Sequence, residues 1–476
     1  MEEIKAEQEE GAPEPEINKS NRATRTVDMT SGNITKHLIL FALPMLAGNI
    51  FQQLYNTADS IIVGNFVSGD ALGAVTTTAP AINSLIGLFM GMSSGAGVVI
   101  SQRFGAHDTK GMRKAIHTAI TLTLYMGLAM MIIGYFATPY LLGFMKTPGR
   151  ILPLANEYLS IYFLGILGLM FYNMGSGILR AVGESQRPLY FLIFSSLLNV
   201  GLDLVFVVMF NMGVAGVAYA TVLSQFISAF LIFLILFRTK ENYGIRLSEM
   251  KTDPAMVKSI VNVGLPAGLQ MGIIAFSNVF VQSYVNHFGE AANSGWGIYG
   301  RVDGFVMLPM QAVSMAAMTF TGQNAGARNV SRIKKGLRAA MTISIVCTLS
   351  LCVVLWMFTP QIVMLFNREA KIVYFGTLFL RMNCMFDVLC CTNQLQAGVL
   401  RGVGDAKAPM FIMIGSFVGF RQLYMFVVSR MTDLIYPVAF SFPAGWIVCS
   451  VIMYVYFHKS NWERHIVEEK EDGVTA

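Results

Sequence analysis

Two acidic residues, Asp59 and Asp203, lie inside long apolar runs, each about seven residues from the far end of its run. Gln52, Asn56 and Asp59 are spaced i, i+4 and i+7, which places them on one face of a helix. Tyr55 precedes Asp59 by four residues, and Asn199 precedes Asp203 by four. Asn173 and Thr221, in neighbouring runs, can add oxygens. Carboxylates with amide and hydroxyl oxygens suit a hard cation such as Na⁺. They equally suit a proton, because two nearby carboxylates in a poor dielectric do not both stay ionised without a cation. The plain alternative is that each acid bonds its neighbours and serves packing. Two acids without a basic partner fit that alternative badly.

The second half of the chain carries a different set: Arg301, Asp303, Arg381, Asp387 and Arg421. One reading is an internal ion-pair network that fixes this half. The other is a polar wall of a cleft or an acid-binding counterpart, with Gln52, Asn56, Arg301 and Asp387 as candidate substrate-cleft residues. The six cysteines lie in apolar stretches without CxxC or Cys/His spacing, and read as small packing residues. Gly87, Gly91 and Gly95 form a small-xxx-small packing face. No P-loop, HExxH, GxSxG or kinase motif is present. Hydrolytic chemistry and ATP-driven work are disfavoured, and the chain does not read as an enzyme.

The elements that position these residues must cross a membrane. Of 476 residues, 54% are hydrophobic and only 13% charged, against about 25% charged in an average soluble domain. The net charge of +6 comes from basic residues in short loops, not from a stripe, so nucleic acid is not an expected partner. Twelve apolar segments are long enough to span the hydrocarbon core as helices: 36–64, 71–101, 115–140, 154–180, 188–210, 213–237, 257–286, 291–322, 337–360, 372–400, 408–430 and 433–458. Pro44, Pro80, Pro266 and Pro309 are the expected kink points. With the N-terminus inside, 26 Lys and Arg fall on the inner side and 5 on the outer. That bias predicts cytoplasmic termini.

The chain also repeats itself. Leu43-Pro44 recurs as Leu265-Pro266, and Gln102, Gly105, Ala106 and Lys114 recur as Gln323, Gly326, Ala327 and Lys335. Gly177-Ile-Leu-Arg-Ala-Val-Gly-Glu184 recurs as Gly398-Val-Leu-Arg-Gly-Val-Gly-Asp405. A steady offset of 221–222 residues marks a duplicated six-helix unit. Six is even, so the copies share one orientation, as in parallel-repeat transporters. The expected organisation is a cytoplasmic tail over 1–33, an N-lobe over 34–237, a cytoplasmic linker over 238–256, a C-lobe over 257–458 and a second tail over 459–476. The fold class is an all-α polytopic membrane protein, with twelve transmembrane helices in two pseudo-symmetric lobes around a central cleft.

The order and spacing of several motifs resemble the multidrug and toxic compound extrusion (MATE) family across 36–458. They are Ala42-Leu-Pro44, Tyr55-Asn-Thr-Ala-Asp59, Gly177-Ile-Leu-Arg-Ala-Val-Gly183, Asn199-Val-Gly-Leu-Asp203, Gly213-Val-Ala-Gly-Val-Ala218 and Gly322-Gln-Asn-Ala-Gly-Ala327. The resemblance implies export of cationic amphipathic drugs or toxins in exchange for Na⁺ or H⁺, by alternating access. It implies a multi-pass monomer in a bacterial cell (inner) membrane, with no cofactor beyond the coupling ion. It also implies a coupling site at Asp59, Asp203, Asn199, Thr221, Tyr55 and Asn173, with Asp59, Asp203, Asn199 and Thr221 as the Na⁺ ligands if sodium is the ion. Another branch of the family has a seventh-helix acid where this chain has Ile274, and its tenth-helix acid is spaced differently from Asp387. Coupling is therefore expected in the N-lobe. The competing readings are a lipid-linked precursor flippase of the same superfamily and, more distantly, a channel or a non-transporting scaffold.

Overall fold

The computed structural model describes residues 26–145, 147–463 and 466. The tail expectations at 1–25, 464–465 and 467–476 lie outside the described residues, as do the side chains of Pro80 and Ala81. The rest is almost wholly helical. The long helices are α1 (Ile34–Phe66), α2 (Gly69–Gly105), α3 (Thr109–Phe144), α5 (Gln186–Met209), α6 (Gly213–Arg238), α7 (Pro254–Asn286), α8 (Glu290–Gly326), α9 (Val330–Phe366), α11 (Lys407–Met431) and α12 (Ser441–Lys459). Two more spans are bent pairs: α4 (Leu152–Leu164 with Ile166–Ala181) and α10 (Ala370–Cys384 with Asp387–Gly402), each turning by 48°. Counting each pair once gives twelve among the described residues, in the order the sequence predicts.

Helices run unbroken through Pro44, Pro266 and Pro309. The sharp bends fall instead at Gly165 and at Met385–Phe386. Wide π-turns interrupt α5 at Leu204–Met209 and α11 at Gly415–Phe420. Helix starts are set by side chains that accept orphan backbone N–H groups. Asn33, Ser68, Asp108, Asp253 and Asn329 all do this.

The repeats at 102–106 and 323–327, and at 177–184 and 398–405, prove to run into turns at one end of the bundle, called the inner end because the chain enters α1 there. His107 and Arg328 occupy the left-handed region (φ 54° and 57°) at matching places, just before the caps Asp108 and Asn329. Gly183 (φ 84°) and Gly404 (φ 101°) do the same after α4 and α10. Only glycine takes such angles without strain.

The lobes meet along two seams. In one, α2 crosses α7 so closely that a Cβ at Gly91 or Gly95 would strike the backbone of Gly268 or Gly264. This is the packing face that the glycine spacing predicts. In the other, α1 lies on α8 through Leu38, Phe41, Ala42, Val313, Ala316 and Ala317. At the inner end, Gly105 packs against the Gln323 carbonyl and Gly326 against that of Gln102. Hydrophobic clusters at this end draw residues from both lobes. Towards the outer end each cluster belongs to one lobe, around Val63, Leu159 and Val214 or around Val285, Trp296 and Phe379. The two lobes are thus closed against each other at the inner end and separate at the outer.

Candidate functional site

The N-lobe brings Asp59 and Asp203 together. Asp203 is the last residue of regular helix in α5 before the wide turn, and it is fully buried. Asp59 is part-buried on α1. The two carboxyls come within hydrogen-bonding reach of each other. Neither oxygen of Asp203 has a donor among the described residues, and no salt bridge reaches either acid. Two ionised carboxylates have no hydrogen to share, so such an arrangement suits a shared proton or a bound cation.

Asn199 links the pair to the sixth span. With its amide turned so that the nitrogen faces the acid, Nδ2 donates to Asp59 Oδ1 at 2.9 Å and Oδ1 accepts from the Thr221 backbone N–H at 3.3 Å. The Thr221 hydroxyl donates to the Val217 carbonyl at 3.0 Å, leaving its lone pairs unassigned. Tyr55 lies within electrostatic range of both acids, beside Tyr162 and Tyr172. A cavity of about 40 Å³ adjoins the cluster, lined in part by Gln52, Tyr55, Tyr172, Ser196, Asn199 and Gln225. A single water needs about 10–15 Å³, so ions and water have room beside the acids.

Asn173 stands apart. Its amide donates to the Leu169 carbonyl at 2.9 Å, and it lines a different small cavity with Ser93, Arg180 and Thr319. Gln52 and Asn56 are exposed on α1, and Arg301 is exposed on α8. Asp387 is not cleft surface: it is 1% exposed, inside the C-lobe at the start of the second half of α10, with Cys352 Sγ 4.0 Å from its Oδ2. Burial at the bend removes it from the cleft wall that the sequence reading assigned to it.

The C-lobe ion-pair network does not form either. No salt bridge among the described residues involves Arg301, Arg381 or Arg421. Arg421 Nη2 donates to Ser277 Oγ at 3.0 Å and to Asn278 Oδ1 at 2.9 Å, and its guanidinium lies 4.5 Å from the Phe442 ring centroid. Arg381 lies 5.2 Å from the Trp356 ring. Neutral oxygens and aromatic faces replace carboxylates as partners. Among the described residues, no group of three or more His, Cys, Asp or Glu is placed to hold a metal ion.

Sequence reasoning missed Tyr158, Tyr162, Tyr172 and the serines of α6. Tyr158 and Tyr162 stack at 6.4 Å, and Tyr158 lies near both acids. The signal was available: Tyr158/Tyr162 at i, i+4, and Thr221, Ser224 and Ser228 as one polar stripe on an otherwise apolar helix.

Known proteins resemble the chain over most of its length. The family model described as MatE matches twice, at 44–205 and 266–427, a displacement of 222 residues. "Probable multidrug resistance protein YpnP" of Bacillus subtilis is 32% identical over 83% of this chain and 88% of its own length. "Probable multidrug resistance protein NorM" of Thermotoga maritima is 24% identical over 92% and 95%. A MOP superfamily transporter from Pyrococcus furiosus superposes with a TM-score of 0.87 at 26% identity, covering 94% of this chain and 99% of its own. A structure described as the outward-facing conformation of a multidrug resistance MATE family transporter gives 0.87 at 25% identity, covering 94% and 100%.

Proposed function

Because the chain belongs to the MATE family of membrane transporters, we propose that it exports cationic amphipathic drugs or toxins in exchange for an inward-moving Na⁺ or H⁺. It is a multidrug efflux transporter and not an enzyme. One observation carries the coupling: two facing carboxyls, one fully buried, with no basic partner among the described residues. A cation or proton entering from the outer end binds between Asp59 and Asp203 and removes one of their two negative charges. The Asn199 amide, bonded to Asp59 on one side and to the α6 backbone on the other, carries that change between α1, α5 and α6. The drug sits between the lobes against the exposed face of α1 that bears Gln52 and Asn56. Loading the acids lowers drug affinity, the drug leaves outward, and the unloaded lobes rock to open inward. A monomer in the bacterial cell membrane, with both termini cytoplasmic, completes the reading. The bias of basic residues supports that orientation, and it makes the inner end the cytoplasmic one.

The test is reconstitution in liposomes with ethidium as substrate, under an imposed Na⁺ gradient and then an imposed pH gradient. Movement under one gradient, abolished in Asp59→Asn and in Asp203→Asn, is the expected result and names the ion. Normal transport by both variants overturns the coupling site. No ethidium movement under either gradient favours the lipid-linked precursor flippase instead.

A further inference from the structure

The chain ahead of α1 lies across the joint between the lobes. Met29 is fully buried, in a cluster with Phe320, Ala325 and Ile333 of the C-lobe. Its backbone N–H donates to Gln323 Oε1 at 2.9 Å. Its carbonyl accepts from Asn324 Nδ2 at 3.2 Å and from Arg332 Nε at 3.0 Å, while Arg332 Nη2 donates to the Ser31 carbonyl at 2.5 Å. Two residues earlier, the Val27 carbonyl sits where a Cβ on Gly183 of the N-lobe would be. One short segment therefore grips both lobes.

Gln323 ties this grip to the closed state. The side chain that receives Met29 also donates through Nε2 to the Ala181 carbonyl of the N-lobe at 3.0 Å. Its backbone carbonyl packs on Gly105 of α2, with no space for a side chain between them. Separating the inner ends of α2 and α8 pulls Gln323 from Ala181 and draws Val27 and Met29 to different lobes. The segment ahead of α7 mirrors this, with the Arg246 N–H donating to His117 Nε2 and the Asp253 N–H to Thr118 Oγ1, both at 3.1 Å. That linker must cross because it joins the lobes. Residues 26–33 carry no such covalent requirement, so their crossing is held by these contacts alone.

We propose that residues 26–33 form a strap that latches the inner end shut and must release for the transporter to open inward. The inference rests on the alternating-access reading above. Nitroxide labels at Lys110→Cys of the N-lobe and Lys335→Cys of the C-lobe, in a Cys347→Ala background, report the inner-end distance by pulsed electron resonance in lipid nanodiscs. Both positions are exposed. The unaltered strap should give a dominant short distance and a minor long one, the long one growing when drug is added. Arg332→Gln and Met29→Ser should raise the ratio of long to short at least about fivefold. Gly183→Ala, which displaces the strap from the N-lobe side, should do the same, and Arg332→Gln, at a part-buried site, serves where a buried substitution fails to fold. A ratio unchanged within twofold in correctly folded variants, even with a lower Tm, overturns the strap and reduces the segment to packing. A single distance under every condition with the strap intact overturns alternating access, and the strap with it.

Discussion

The two lobes share a scaffold and place opposite charges at the same spot. The 222-residue displacement between the two family matches carries Tyr55 to Ser277, Asp59 to Val281, Asn199 to Arg421 and Asp203 to Met425. In the N-lobe these positions hold two neighbouring carboxyls, with an amide donating to one of them. In the C-lobe, the arginine at the Asn199 position reaches the serine at the Tyr55 position, and both acid positions are apolar. Each cluster borders a wide turn: Asp203 directly precedes one, and Arg421 directly follows the other. What differs is whether the charge can leave. A guanidinium stays protonated at any working pH and is tethered to its helix. On the proposed coupling, a proton or Na⁺ on Asp59 and Asp203 comes and goes, so the duplicated fold would keep one exchangeable cation site beside one fixed cation.

Substitutions at the mirrored positions break or sharpen this contrast. The largest effect belongs to Asp203→Asn, with no donor to either oxygen and full burial. It should abolish gradient-driven ethidium export, at least a hundredfold below the parent in liposome uptake, while the protein still elutes as the parent does. Asp59→Asn should match it. If Asp203→Asn alone transports, the pair does not act as a unit.

Arg421→Met ranks next. It removes a buried charge with good neutral partners, so its cost is one of stability: about 1–3 kcal/mol, from leaving Ser277 and Asn278 without their donor. A falling Tm with ethidium transport kept within about threefold is the expected outcome. Loss of coupling as complete as in Asp203→Asn would make the C-lobe cation part of the exchange machinery and end the contrast.

The lobe seams give a third test. Gly91→Ala puts a Cβ into the backbone of Gly268 and should cost about 2–3 kcal/mol, as overpacking does. Ala42 on α1 takes part in the other seam, where side chains already fill the space. Ala42→Gly there should cost about 1 kcal/mol, the helical glycine penalty. Equal losses of Tm in the two variants would show that the seams are packed alike.

Much of this was legible from residue order alone. Spans follow from runs of apolar residues, because an unpaired backbone in hydrocarbon leaves only helices. Asp59, Asn199 and Asp203 were legible because an acid in such a run needs a reason. The bends were not. Pro44 and Pro266 carry a helix-breaking signal yet sit in unbroken helices, while Met385–Phe386 carries none and marks a 48° turn. The π-turns likewise leave no compositional trace. Arg421 and Asp387 share the C-lobe, and charge alone suggested pairing. Their partners, Ser277, Asn278 and Cys352, come from other helices and emerge only in three dimensions. The strap was hidden for the same reason: Met29 looks like one residue of a polar tail until Gln323 and Arg332 are seen around it.

The smallest effect is expected at Thr221, and it bears on which ion the N-lobe exchanges. Its hydroxyl hydrogen is committed to the Val217 carbonyl, while Asn199 contacts its backbone N–H rather than its side chain. Thr221→Val keeps the shape and that N–H, so the Asn199 bridge survives. A proton on the acid pair needs no oxygen from α6, and in that case the half-saturating ion concentration should move by less than about twofold. A sodium ion takes several oxygens, and the free lone pairs of Thr221 on α6 could supply one. Loss of one such ligand should weaken apparent Na⁺ affinity about tenfold, ~1.4 kcal/mol. Measured in liposomes under the gradient that drives the parent, a twofold change confines the site to α1 and α5, whereas a tenfold change extends it to α6.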